Sequence, residues 1–283
     1  MMAQVTGSDW PAPAKLNLML RILGRRPDGF HQLQTVYQFL DCGDLLHFER
    51  RRDGQIRRST AVKGVPEKAD LAVRAAGMLK AHTGCRSGVD IEIEKRLPLG
   101  GGLGGGSSDA ATTLVALNRI WGTGLGQEQL MALALSLGAD VPVFVGGVAA
   151  WGEGVGEILT PLDLQEPWYL ILVPPCGVST AEVFSDPGLT RNSPAIKISD
   201  FLGGDDRNDC EETVRRRYPA VADALDWLGS RARGRLTGTG GCVFAAFAQK
   251  EEAVAVRGLA PRHFSPFVAR GLNRSPLLDR VAG

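Results

Sequence analysis

The segment from Pro98 to Ala110, PLGGGLGGGSSDA, is the sharpest chemical feature of the chain. Six glycines stand between Leu99 and Ser107. A residue without Cβ lets successive backbone N–H groups converge on a ligand with no side chain in the way. A helix beginning at Ser107-Ser108 adds its free N–H groups and the positive end of its dipole. Together these make a cradle for phosphate. A phosphate loop of the G-x-x-x-x-G-K-[ST] type is excluded, because no lysine follows the glycines. Gly100-x-Gly102-x-x-Gly105 fits the dinucleotide pattern, but that fingerprint needs a strand after its helix and an acidic strand end about 20 residues on. Here a second helical pattern follows instead.

Two further residues carry chemistry. Lys15 lies in AKLNLMLRI, residues 14–22, where Leu16, Leu18, Leu20 and Ile22 alternate with Lys15, Asn17, Met19 and Arg21. The period of two predicts a strand and puts Lys15 and Asn17 on one face. Pattern alone reads that face equally as solvated. Asp140, in GADVPVF, is a carboxylate in an apolar run ahead of a proline. Pattern alone gives it turn or helix-cap duty. Asp109, in the first turn of the expected helix, complements the dipole; beside phosphate it needs a cation between them.

The elements that must position these residues can be traced along the chain. GRRPDGFH, residues 24–31, is a turn, residues 33–49 are extended with a break at Cys42-Gly43-Asp44, and Asp70 caps a helix from Leu71 to about His82. A strand over 89–95 leads into the glycine loop, then helices over 107–121 and 127–137. Short strands follow at 148–151 and 155–159. After Pro161 come a buried strand (168–173), a loop with Pro187 and Pro194, helices at 208–217, 220–229 and 250–259, and strands at 242–248 and 266–270. Strands often follow strands, so the class is α+β with an antiparallel tendency. A boundary near residue 160 divides the chain into 1–160 and 161–283.

Composition narrows the function. Of 283 residues, 32 are Lys or Arg and 31 Asp or Glu, a net charge of +1. That balance argues against a nucleic-acid partner. The clusters Arg50-Arg51-Arg52 and Arg57-Arg58 read as solvated turns. Five cysteines without a CxxC read as reduced thiols in a reducing compartment. There is no apolar run of membrane-spanning length, and MMAQVTGSDWPAPAK has neither a charged nor an apolar leader region. The expectation is a cytoplasmic protein with no membrane partner.

Several motifs in one order carry a resemblance. PAPAKLNLML and RRPDGFHQLQT (residues 11–20 and 25–35), PLGGGLGGGSSDAA, LGADVPVF, GVGEILTPL (154–162) and LTGTGGCVFA (236–245) together resemble the GHMP kinase superfamily. The resemblance spans nearly the whole chain. It implies a two-domain α+β fold with the active site in the cleft between an N-terminal domain (1–160) and a C-terminal domain (161–283). Within the superfamily it points to the branch that moves the ATP γ-phosphate to the 2-hydroxyl of a cytidine-diphosphate-linked methylerythritol. Homoserine or mevalonate kinase, or a catalytically silent nucleotide-binding regulator on the same fold, are the alternatives; the DGFH turn and Phe184 argue against the first two, and retention of Lys15 with Asp140 against the third.

The same resemblance assigns roles. Lys15 and Asp140 match the catalytic pair, Asp140 as base and Lys15 orienting it and balancing charge. Pro98, Leu99, Gly100, Gly101, Gly102, Leu103, Gly104, Gly105, Gly106, Ser107 and Ser108 match the ATP-phosphate loop, and Lys95 a residue near adenine. Asn17, Phe30, His31, Thr180 and Phe184 match contacts of the cytidylyl substrate, with Phe30 and Phe184 gripping the cytosine from its two faces. Many relatives carry Tyr at Phe30, and some Asn at Asp70. Magnesium travels with ATP as co-substrate, no protein residue is assigned as its ligand, and no tightly bound cofactor is implied. The only partner implied is the small-molecule substrate, and a homodimer is left open.

Overall fold

In the computed structural model, which describes residues 9–282, β1 (Trp10–Arg25) and β2 (His31–Arg51) form a long antiparallel hairpin. The first eight residues, on which the reading of an absent leader partly rests, lie outside the described residues. The hairpin turn uses Gly29 at φ 89° and an Asp28 carboxylate that accepts from the Phe30 N–H at 3.1 Å, the local chemistry expected of Asp-Gly. Next come β3 (Ile56–Arg58), α1 (Leu71–Thr83), β4 (Gly88–Glu94), α2 (Gly105–Trp121), α3 (Gln127–Leu137), α4 (Val141–Gly146), β5 (Ala150–Glu153) and β6 (Ile158–Pro161). The second half holds β7 (Trp168–Leu172), α5 (Thr180–Ser185), α6 (Ile198–Leu202), α7 (Glu211–Arg217), α8 (Pro219–Gly229), β8 (Arg235–Leu236), β9 (Val243–Phe247), α9 (Lys250–Leu259), β10 (Phe267–Leu272) and α10 (Pro276–Ala282).

The strands form one sheet in the order β3-β4-β2-β10-β7-β9-β8, with β1 and β5 also on β2 and β6 on β5. All pairs are antiparallel except β3 with β4. The change of composition near residue 160 falls between β6 and β7, yet the sheet runs through it. β10 pairs with β7 and, at Gly271–Leu40 and Leu272–Phe39, with β2. Leu277 of α10 joins the apolar core of the first half.

That core lies between the sheet and α1 to α4, where Ala110, Ala111, Leu114 and Leu117 of α2 are buried. Residues at this spacing share one face of a helix, and Leu114→Ala would cost roughly 2–5 kcal/mol. A second core packs α5, α7 and α8 on β7 and β9. A third joins the halves through Leu16 and Leu18, Leu103, Ile171 and Phe244.

The expected break in β2 is a bulge: the register with β1 shifts between Pro13 and Lys15, opposite Phe39 to Gly43. The solvated-turn expectation fails at both arginine clusters. Arg50 and Arg51 end β2, paired with β4, and Arg57-Arg58 is not a solvated turn but β3, lying parallel to β4. The buried Arg58 guanidinium bonds the Asp70 carboxylate at 2.5 Å and the Val65 carbonyl at 2.8 Å. A buried guanidinium persists where such partners stand, and these lie 12 and 7 residues away, outside the range of local patterning. Asp70 itself accepts from Ala72 N–H at 2.8 Å and so caps α1 as expected.

Candidate active site

β1 has a free edge, and the site is built where that edge is covered. An edge strand leaves a row of backbone donors that must find partners. The N–H of Lys15 donates to the Leu103 carbonyl in the glycine loop (3.0 Å), and that of Asn17 to Thr237 Oγ1 in the LTGTGG segment (3.0 Å). Further on, Leu20 donates to the Arg207 carbonyl (3.2 Å) and Ile22 to Asp209 Oδ2 (2.7 Å). The outward parity changes from odd to even at the irregularity between Asn17 and Met19. Bulges re-aim side chains in this way beside active sites.

Lys15 and Asn17 share a face, as the alternation predicts. The buried Lys15 ammonium donates to Asn17 Oδ1 and to the Gly102 carbonyl (3.0 Å), and lies 3.4 Å from Asp140 Oδ2. Asn17 in turn donates to Thr35 Oγ1 (2.8 Å), which donates to the Met19 carbonyl (2.6 Å). Asp140 occupies the position before α4, where a cap would stand, but its side chain makes no cap bond. Instead Oδ1 accepts from the Tyr37 hydroxyl at 3.1 Å. The carboxylate remains 38% exposed while Lys15 is almost wholly buried, so the acid of the pair is the one a substrate can reach.

The glycine loop lies over this pair. α2 begins at Gly105, two residues before Ser107, so Gly105 and Gly106 contribute helix-end N–H groups. At Gly102, φ is 75° and a Cβ would sit 2.5 Å from the Thr237 carbonyl; at Gly104, φ is 76° and a Cβ would lie 2.7 Å from the Phe144 ring and 3.1 Å from Lys15 Cε. Only glycine fits either place.

A cavity of about 420 Å3 opens between the halves of the chain. Lys15, Asn17 and Asp140 line one part of it, the backbone from Pro98 to Ser107 another, and Thr180 and Phe184 of α5 a third. Lys95 also lines it, but its ammonium is shared between Asp44 and Asp109, the latter at 2.8 Å. Asp44 accepts backbone N–H groups of Arg96 (2.6 Å) and Leu97 (2.8 Å) as well. Asp109 thus has beside it a cation of the kind expected were phosphate to lie on the loop. Burial pushes the Asp109 carboxyl up to about 7, against the pull of Lys95. Burial also opposes the Lys95 charge, yet Asp109 and Asp44 hold the ammonium above its ordinary value.

Three expected site residues stand apart from the cavity wall. Ser108 is wholly buried under the loop, and its hydroxyl has no partner among the described residues. Phe30 is 61% exposed at the hairpin turn. Side chains of successive residues in extended chain point to opposite faces, and it is His31 that turns inward, its ring stacked on Phe184 at a centroid distance of 4.8 Å. His31 Nε2 accepts from Arg191 Nε (3.2 Å), whose other donors bond the carbonyls of Phe184, Asp186 and Leu189. Burial first, then Arg191 and Arg25, hold the imidazole below its ordinary value. An imidazole accepting at Nε2 carries its proton on Nδ1.

Sequence reasoning missed Tyr37 and Thr35, and the Gly238-Thr239-Gly240 segment of the second glycine cluster joins them on the cavity wall. Thr239 bonds Thr180 hydroxyl to hydroxyl at 2.8 Å. The LTGTGG motif was visible, but nothing local linked it to Lys15. Among the described residues, no group of three or more His, Cys, Asp or Glu side chains converges as a metal site, and no helix is long and apolar enough to cross a membrane.

Residues 70–148 match the GHMP kinases N terminal domain and residues 192–264 the GHMP kinases C terminal family, and the chain belongs to the GHMP kinases. It is 60% identical over 267 residues, 94% of this chain and 95% of the relative, to a 4-diphosphocytidyl-2-C-methyl-D-erythritol kinase of Pseudomonas paraeruginosa. A crystal structure of 4-(cytidine 5'-diphospho)-2C-methyl-D-erythritol kinase superposes with a TM-score of 0.80 at 30% identity, covering 93% of this chain and 99% of that one. Within the GHMP kinases the chain therefore falls among the 4-diphosphocytidyl-2-C-methyl-D-erythritol kinases. A homoserine kinase from Cytophaga hutchinsonii (TM-score 0.67, 16% identity, 97% of each chain) shares the fold.

Proposed function

We propose that this chain transfers the γ-phosphate of ATP to the 2-hydroxyl of 4-diphosphocytidyl-2-C-methyl-D-erythritol, a step of the non-mevalonate route to isoprenoid precursors. The observation that carries the mechanism is the half-exposed Asp140 held beside buried Lys15 under the glycine loop, in one cavity. In this reading Asp140 takes the proton of the acceptor hydroxyl as its oxygen bonds to the γ-phosphorus. The bond from that phosphorus to the β-bridging oxygen breaks, and ADP leaves with the electron pair. A tertiary alcohol is a weak nucleophile, so positioning and charge stabilisation dominate.

Lys15 balances the carboxylate and, through Gly102, ties it to the loop. The N–H groups of residues 100–106 and the α2 end receive the phosphates. Magnesium suits such a site as a companion of the nucleotide, since it commonly binds through substrate phosphates with few protein ligands. Ser107, at the end of the glycine loop, lines the cavity and would hold the ion there, which would offset phosphate charge. Thr180, Phe184 and His31 form the cytidine end, with His31 rather than Phe30 as the ring partner of Phe184. Lys95 acts beneath the loop, through its two carboxylates.

The test is ADP release by the purified chain against a panel of acceptors. Turnover with the cytidylyl substrate, and none with homoserine or mevalonate, is expected. Turnover of either of the latter in preference would overturn the assignment of substrate.

A further inference from the structure

Asp140 presents two oxygens, and the structure engages them from different strands. Lys15 on β1 faces Oδ2 at 3.4 Å, and Tyr37 on β2 donates to Oδ1 at 3.1 Å. The three ammonium hydrogens of Lys15 match three acceptors: Asn17, the Gly102 carbonyl and Asp140. The phenol hydroxyl has one hydrogen bond among the described residues, the one to Asp140.

The surroundings of Tyr37 are shaped for it. The side chain is 1% exposed. A Cβ on Gly152 would lie 2.8 Å from its ring, and one on Gly156 only 2.4 Å from its hydroxyl oxygen. Glycine at both positions leaves the slot that the ring and hydroxyl fill. Phenylalanine would satisfy the packing equally, and a buried hydroxyl carries a desolvation cost that only its hydrogen bond offsets.

We propose that Tyr37 is a positioning residue for phosphoryl transfer, its hydroxyl holding one oxygen of Asp140 so that the carboxylate stays turned into the cavity and does not close onto Lys15. The proposal rests on the reading of Asp140 as the base. The Lys15 contact, at 3.4 Å, is longer than the 2.8 Å at which Lys95 meets Asp109. A carboxylate held at one oxygen keeps lone pairs on the other for the incoming proton. Burial and the adjacent Asp140 charge raise the phenol well above its ordinary value, so Tyr37 remains a donor throughout the working pH range. The charged groups acting on this pair are Lys15 from β1 and Glu157 from the β5–β6 turn.

The experiment removes one oxygen atom. Tyr37→Phe in the full chain should lower kcat roughly ten- to a hundredfold, the range for a hydrogen bond to a charged group. KM for ATP and for the cytidylyl substrate should stay within about twofold. Melting temperature should be unchanged. An unaltered kcat overturns the proposal. So does a fall in kcat accompanied by a lower melting temperature or by a comparable rise in either KM, which marks a packing or binding role. Asp140→Asn is measured in parallel: near-normal turnover there removes the base reading itself, whereas heavy loss there with a silent Tyr37→Phe removes only Tyr37.

Discussion

Two lysines stand among aspartates beneath the same loop, and they are arranged in opposite ways. Lys95 closes tightly on Asp44 and Asp109, and both carboxylates are almost fully buried. Lys15 stands back from Asp140 by 3.4 Å, and that carboxylate is more than one-third exposed. Around Lys95 every strong partner is protein: Asp44 also receives two backbone N–H groups, which fix β2 to the chain leaving β4. Around Asp140 one side remains open to the cavity. Identical residue types thus serve as a fastening where their valences are filled and, in the proposed mechanism, as chemistry where one is left free. The fastening bears directly on the loop, since a Cβ on Gly105 would sit 3.3 Å from both Asp44 Oδ2 and Lys95 Nζ.

The largest effect that follows is on turnover. Asp140→Asn keeps shape and hydrogen-bonding size but cannot take a proton. It should lower kcat by about 10²–10⁴, with ATP binding and melting temperature little changed. Steady-state rates together with a nucleotide titration check this. A variant that unfolds instead, with normal turnover in its folded fraction, would make Asp140 a fastening like the other pair.

Lys95→Met should show the reverse. Removing the shared cation leaves two buried carboxylates facing one another without compensation, a loss of about 3 kcal/mol or more in stability. Urea unfolding measures it. The folded fraction should keep kcat far better than Asp140→Asn does. A hundredfold fall in kcat with an unshifted unfolding midpoint would erase the contrast and return Lys95 to direct catalysis.

Much of this contrast was legible in the chain, because its parts are local. Glycine clustering marked the loop and alternation put Lys15 and Asn17 together, while Asp140, given cap duty by pattern alone, was singled out by the resemblance. The partners were not legible. Tyr37 reads as one more core aromatic in a strand, and only the β1–β2 register sets it opposite Asn17. Asp44 lies 51 residues from Lys95, so no spacing rule connects them. Thr237 meets Asn17 across 220 residues. The Phe30–His31 choice was closer to hand: adjacent residues at the start of a strand face opposite ways, which already allows only one of the two rings to turn inward. α+β architecture followed from periodicity, but the return of β10 to β2 and of α10 to the first core is a tertiary event with no local sign.

The smallest expected effect discriminates between burial and ion pairing within the tight cluster. Unfolded Asp109 ionises in the ordinary carboxylate range, whereas the folded residue holds its proton up to about 7. Between those values the folded state binds more protons than the unfolded one. The stability contributed by this group is therefore complete below the unfolded value and is lost as pH rises through the folded one. Asparagine has no proton to release, so Asp109→Asn should escape that loss. The wild-type chain should lose stability relative to the variant by at least about 1 kcal/mol between pH 5 and pH 7.5, read from urea midpoints at the two values. A difference that stays constant across that interval would mean Lys95 outweighs burial and keeps Asp109 ionised throughout. Asp109 would then be a permanent anion beneath the phosphate cradle, and the shared ammonium would be neutralising two full charges rather than one and a fraction.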